Sequence, residues 1–241
     1  MKDGSISPGG SGRRIAIIGA GISGICMAIR LRQSGHTHFT LFEKSERLGG
    51  TWFDNQYPGA GCDVPGHFYC FSFEKNPDWM RRYPLQNEIL RYLEHCGDKY
   101  DIRRHIHFGR EIVDAVYDDA QATWRLTTKN GEVHVVDVLI AGTGQLNRAR
   151  IPNIPGMDSF RGKMVHSARW NIGADLAGEN VAVIGSGASA IQLTPALART
   201  AKSLTVFQRS PNYILPRQDR AYSSIEKWLF RNLTFVMALY R

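Results

Sequence analysis

Apolar and polar positions alternate along the chain with a period that changes several times, and each change marks an element. Residues 13–18 end in an apolar run that stops at Gly19, helix-compatible residues fill 22–33, and a second apolar run covers 38–42. Strand, tight glycine turn, helix and strand in that order predict the opening of a doubly wound α/β fold. Residues 48–73 are rich in Gly, Pro and aromatic side chains with little periodicity. They predict a long ordered loop of the kind that commonly carries function. A helix is predicted over about 86–100, then alternating segments at 112–116, 124–128 and 133–138 that suit a small antiparallel meander. The run 136–141 closes on Gly142-Thr143-Gly144, another strand meeting a glycine turn.

Two prolines within residues 151–156 (IPNIPG) disfavour helix and predict an extended linker. Beyond it, residues 180–184 (NVAVI) repeat the buried-strand pattern up to Gly185, followed by a predicted helix at 189–199 and a strand at 204–208. The strand-turn-helix-strand unit therefore occurs twice. The expected fold class is α/β, with two Rossmann-like dinucleotide-binding domains of three-layer ββα/βαβ type, both incomplete. The expected boundaries are a loose tail at 1–12, a first domain at 13–150, a linker at 151–176 and a second domain at 177–241. Residues 228–240 are the most apolar late stretch, but they are too short for a bilayer and contain Arg231. They predict a core or surface helix, with contact at a membrane surface as the secondary alternative.

The first turn reads Gly19-Ala20-Gly21-Ile22-Ser23-Gly24, a GxGxxG directly after a strand and opening a helix. Glycines there permit a sharp turn, close approach of backbone to a pyrophosphate and tight helix packing, while the helix N-terminus offers N–H groups to phosphate. Glu43, at the end of the second strand, is a carboxylate able to accept hydrogen bonds from both ribose hydroxyls of an adenosine. The second turn, Gly185-Ser186-Gly187-Ala188-Ser189-Ala190, is a GxGxxA variant that the same geometry tolerates. Glu43 lies 24 residues after Gly19, and Arg209 lies 24 residues after Gly185. By count the two sites superimpose and differ in charge at the strand tip. A guanidinium, with Ser210 beside it, suits a 2′-phosphate that a carboxylate would repel. FAD is expected at the first turn and NADPH at the second.

Composition adds bounds. Hydrophobic residues make up 43% and charged residues 22%, the balance of a globular protein. The net charge of +8 comes from scattered basic residues rather than a stripe, so no nucleic-acid partner is expected. Cys26, Cys62, Cys70 and Cys96 form no CxxC pair and imply reduced thiols in a cytoplasmic setting, with no metal site. The first dozen residues are polar and Gly/Ser-rich, unlike a signal peptide. The chain carries no signal for an oligomeric state. A disulfide reductase would need a thiol pair soon after Glu43, where this chain has Gly49-Gly50-Thr51-Trp52. Electrons passed from nicotinamide to flavin are therefore expected to reach oxygen or another external acceptor.

Residues 49–63 (GGTWFDNQYPGAGCD) closely resemble the longer signature of Baeyer–Villiger monooxygenases, and residues 160–170 (FRGKMVHSARW) resemble the shorter one, FxGxxxHxxxW. That shorter signature continues with Pro or Asp, whereas here Asn171 follows. The departure keeps flavin-containing N- or S-oxygenases open as relatives. The resemblance covers about residues 13–241. It implies that Gly50, Thr51, Trp52 and Asp54 lie along FAD, that Tyr69 contacts it, and that Ile112 offers backbone near the adenine. It further implies that Gly61, Cys62 and Asp63 border the nicotinamide, with Asp63 also holding an active-site arginine. Ser189 and Ala190 belong to the expected NADPH turn. His166 is expected to be structural. The implied activity is insertion of one oxygen atom from O2 into a ketone through a flavin peroxide, giving an ester or lactone. A heteroatom substrate is the alternative. Family members continue well beyond the length seen here, so a truncated chain is expected, and an inactive dinucleotide-binding fragment is the remaining reading.

Overall fold

The computed structural model describes residues 12–170 and 175–239. All but Gly12 of the expected tail, and four residues of the expected linker including Asn171, lie outside the described residues. The chain divides into two compact units, Met1–Phe53 with Arg91–Asn147, and Asp54–Leu90 with Arg148–Arg241.

The first unit is built on β1 (Ile15–Ile18), of which Ile15, Ala16 and Ile17 are buried. The chain turns at Gly19 into α1 (Ile22–Gln33), which buries Gly24, Ile25, Ala28 and Ile29, and returns as β2 (Phe39–Phe42). The short α2 (Thr51–Asp54) follows. In α3 (Gln86–Lys99), Ile89, Tyr92, Leu93 and Cys96 are buried at helical spacing. A two-residue strand, β3 (Ile106–His107), went unseen in the sequence because it has no room for a period. β4 (Ile112–Asp118), β5 (Thr123–Thr128) and β6 (Val133–Val136) form the expected antiparallel meander, and β7 (Val138–Ala141) completes a parallel sheet ordered β3-β2-β1-β7.

The meander lies on that sheet. Leu126 and Val136 from the meander share a buried cluster with Ala16 and Phe42 from the parallel strands. Asp137 separates β6 from β7 and fixes the crossing point. Its carboxylate accepts the Arg14 N–H at 2.7 Å and two guanidinium N–H groups at 2.7 and 3.2 Å.

In the second unit, β8 (Asn180–Ile184) leads into α4 (Ala188–Leu197) and pairs in parallel with β9 (Ser203–Phe207). Residues 54–90 contribute Tyr57 and Ala60 to the core of this unit, against Val183, Leu193 and Leu197. The single helix expected over 228–240 is instead two, α5 (Ser224–Asn232) and α6 (Thr234–Leu239). The break is at Leu233, whose φ of −123° and ψ of 80° lie outside the helical region. The helix begins earlier than expected because Ser223 and Glu226 form a complete capping box. Among the described residues, no helix is long and apolar enough to cross a membrane.

Candidate functional site

The first glycine turn is closed on itself. A Cβ on Gly24 would stand 1.9 Å from the Gly19 carbonyl oxygen, so this position admits no side chain without moving the turn. Gly19 itself has φ +98°, where other residues are strained. Gly49 donates its N–H to the Ala20 carbonyl at 2.9 Å, which brings Gly50, Thr51 and the buried Trp52 beside the turn. Glu43 is 4% exposed. Its Oε2 accepts the Ala20 N–H at 2.7 Å and its Oε1 accepts the Ser45 N–H at 2.9 Å. Each oxygen keeps one further lone pair. The backbone C=O of Glu43 accepts the Arg110 N–H at 2.8 Å, which sets the start of β4, and hence Ile112, close behind the strand tip.

The second turn is open by contrast. Gly185 has φ +105°, and a Cβ built on Gly185 or Gly187 meets nothing within 4 Å. Ser186 Oγ donates to the Ser210 carbonyl at 3.4 Å, which joins the turn to the segment beyond β9. Arg209 is exposed and makes no hydrogen bond or ion pair with the described residues.

Equal counting misplaced Arg209 by one residue. Ile18 pairs with Phe42 and Ile184 pairs with Phe207, and each following glycine donates to the carbonyl of that phenylalanine, at 2.8 and 2.9 Å. The residue after the phenylalanine is Glu43 in the first unit and Gln208 in the second. Arg209 therefore corresponds to Lys44. The second crossover is one residue shorter, with α4 ten residues long against twelve for α1. The contrast that survives is a carboxylate against an uncharged amide at the tip itself, since an exposed cation, Lys44 or Arg209, follows in both units.

Residues 57–63 and α4 form a hydrogen-bonded cluster that sequence reasoning missed. Gln192 Oε1 accepts the Tyr57 hydroxyl at 2.9 Å and the Gly61 N–H at 3.3 Å. Its Nε2 donates to the Gly61 carbonyl at 3.0 Å and to Asp63 Oδ1 at 2.9 Å. Burial raises the pKa of the Tyr57 hydroxyl. Arg217 donates to the Cys62 carbonyl at 3.4 Å, lies 3.5 Å from Asp63 Oδ1, and stacks over the Tyr83 ring at 5.3 Å. Burial raises the Cys62 thiol pKa, so that residue is a packed thiol rather than a nucleophile. Nothing in the sequence distinguishes Gln192 or Arg217 from other polar residues; only the folding of 57–63 onto α4 does.

Of the other expected residues, Asp54, Asp63 and Tyr69 belong to the second unit, whereas Thr51, Trp52 and Ile112 belong to the first. Tyr69 is half-buried in a turn, its N–H donating to the Pro65 and Gly66 carbonyls at 3.2 and 2.9 Å. His166 caps a short 3-10 turn, its Nδ1 accepting the Ala168 N–H at 3.1 Å, in keeping with a structural role.

Similarity to known proteins fits this geometry. The family described as flavin-binding monooxygenase-like matches residues 12–237. A Baeyer-Villiger monooxygenase of Streptomyces coelicolor is 45% identical over 228 residues, covering 95% of this chain and 44% of that protein. A Baeyer-Villiger monooxygenase of Pseudomonas aeruginosa is 43% identical, covering 95% of this chain and 43% of its own length. Among solved structures, the closed form of cyclohexanone monooxygenase superimposes with a TM-score of 0.86 at 37% identity, over 95% of this chain and 43% of that one. The complex of OTEMO with FAD and NADP gives a TM-score of 0.87 at 35% identity, over 96% and 45% of the two chains. The chain thus spans less than half the length of these relatives. With the family matched over nearly all of its residues, the chain belongs to the flavin-binding monooxygenase-like family.

Proposed function

We propose that the protein is an FAD- and NADPH-dependent monooxygenase that inserts one oxygen atom from O2 into a ketone, giving an ester or lactone. The observation that carries this reading is the contrast between the strand tips. One holds a buried carboxylate bonded into its glycine turn, and the other holds an uncharged amide, Gln208, in the equivalent place.

The residues present fit two dinucleotides. Helix α5 satisfies its own N-terminus with the Ser223–Glu226 capping box. Helices α1 and α4 have no side-chain cap and no acidic residue in the first turn. Their leading N–H groups, with the positive end of the helix dipole, are left for an anion. Gly19, Gly21 and Gly24 let backbone approach a pyrophosphate, and Glu43 takes ribose hydroxyls on its remaining lone pairs. Gly50, Thr51, Trp52 and Ile112 complete the FAD set within the first unit. Gly185, Gly187, Ser189 and Ala190 hold the second pyrophosphate, and Arg209 with Ser210 takes the 2′-phosphate. Asp63, with Gly61 and Cys62, would border the nicotinamide.

When bound, the flavin supplies the oxygen-activating redox chemistry and NADPH the hydride. The contribution of this chain would be to bind and orient those groups at its two glycine turns. A cytoplasmic setting and a small-molecule ketone partner go with this reading.

The test is made on the full-length protein loaded with FAD. NADPH consumption should rise on adding cyclohexanone, with lactone formed in equal amount. NADPH oxidation indifferent to ketones, or oxygenation of amines or thioethers in their place, would overturn the reading.

A further inference from the structure

Gln192 lies one turn into the helix that follows the second glycine turn, yet its amide is spent on the loop that carries Asp63. Both ends are saturated: two donors reach Oε1, and Nε2 gives one hydrogen to Gly61 and one to Asp63 Oδ1. The approach leaves no slack. Gly59 has φ +84°, and a Cβ there would stand 2.5 Å from the Gln192 carbonyl oxygen. The Tyr57 hydroxyl and the Gly61 N–H both donate to Gln192 Oε1, so the network ties residues 57–61 to α4.

A second donor converges on the same carboxylate oxygen. Arg217 sits 3.5 Å from Asp63 Oδ1 and 3.6 Å from Asp219, which also accepts from Arg81 at 2.6 Å and from the Tyr83 N–H at 3.3 Å. Gln218, between Arg217 and Asp219, has φ +38°, a strained conformation for a residue with a side chain, held by these ties. Asp63 Oδ1 is thereby occupied twice, while Oδ2 has no partner among the described residues and the side chain is 57% exposed.

We propose that Gln192 is a positioning residue that, with Arg217, fixes the Asp63 carboxylate through Oδ1 and presents Oδ2 outward, so that binding at the second glycine turn and the orientation of Asp63 are coupled through α4. This rests on the reading that the second turn takes NADPH and that Asp63 borders its nicotinamide. The hydrogen bonds of the Gln192 amide go to Tyr57, Gly61 and Asp63 and not to residues 185–190 or Gln208. Its effect on the dinucleotide must pass through Asp63.

A double-mutant cycle on the FAD-loaded full-length protein tests this, with NADP+ affinity read by titration calorimetry and folding by thermal melting. Gln192→Leu should weaken NADP+ about tenfold in the wild-type background and change it less than about twofold in Asp63→Ala. Gln192→Glu supplies a second signature. Its carboxylate faces Asp63 with Arg217 nearby, and as it takes up a proton it regains a donor. Its NADP+ affinity should therefore recover as the pH is lowered from about 8 to about 5.5, while that of Gln192→Leu stays level. Equal losses from Gln192→Leu in both backgrounds, or parallel pH profiles for the two variants, would overturn the coupling while leaving the NADPH reading intact. A wild-type protein that binds no NADP+ would overturn both.

Discussion

The carboxylate of Glu43 accepts the N–H of Ala20 at 2.7 Å, so the tip of β2 is bonded into the first glycine turn rather than merely facing it. Its other oxygen holds the Ser45 N–H at 2.9 Å, in a position 4% exposed. One side chain therefore has two tasks, bracing the turn and offering its remaining lone pairs to a ribose.

Replacing Glu43 by Gln turns one acceptor into a donor that confronts a backbone N–H. The expected cost is about 1–3 kcal/mol of stability together with a loss of FAD affinity of about tenfold or more. A thermal melt and a flavin-fluorescence titration check the two effects separately. Unchanged flavin affinity would remove Glu43 from the site.

Arg209 is expected to matter for the phosphorylated cofactor alone. Arg209→Ala should weaken NADPH by about 10- to 100-fold and leave NADH almost untouched, because only NADPH loses a charge-assisted contact. Steady-state KM values for both nucleotides measure this. An equal effect on both would move the 2′-phosphate elsewhere.

The two glycine turns should respond oppositely to one added methyl. Gly24→Ala drives a Cβ to within 1.9 Å of a carbonyl and is expected to destabilise the first unit by about 3 kcal/mol or more. Gly187→Ala meets nothing within 4 Å. It should leave the melting temperature within about 2 °C of wild type while reducing NADP+ affinity, since it fills the approach to the backbone.

Acid should weaken the fold in two stages. Burial lowers the pKa values of His67, His105 and His107, so the unfolded chain takes up protons first. Stability from these groups is complete above the unfolded histidine value of about 6.5 and declines as the pH falls below it. Asp98 and Asp137 are held low by the hydrogen bonds of Arg103 and Arg14. Their contribution is present above about pH 4 and is lost as the pH falls toward their folded values. Melting temperatures across pH 3 to 8 should show both limbs, and Asp137→Asn should flatten only the lower one.

Much of this was written locally. The apolar runs of β1, β2, β8 and β9 and their glycine turns are short-range patterns, and so are the alternating strands of the meander. What escaped depended on partners distant in sequence. The place of Arg209 follows from the pairing of Ile184 with Phe207, which a residue count cannot see when two crossovers differ in length. Gln192 owes its meaning to residues 129 or more positions away, and Arg217 to one 154 away. The break at Leu233 went unseen because nothing in that apolar stretch is a strong helix breaker.

Residues 54–90 pack with residues beyond 148, while 91–147 return to complete the first unit. On the ribosome, such an interleaved order means that the loop bearing Asp63 emerges long before β8 and α4 exist to receive it. Tyr57 and Ala60 must wait, with their apolar surface in water, for Val183, Leu193 and Leu197 to be synthesised. This part of the core is thus closed by contacts of high sequence separation, which form late in folding.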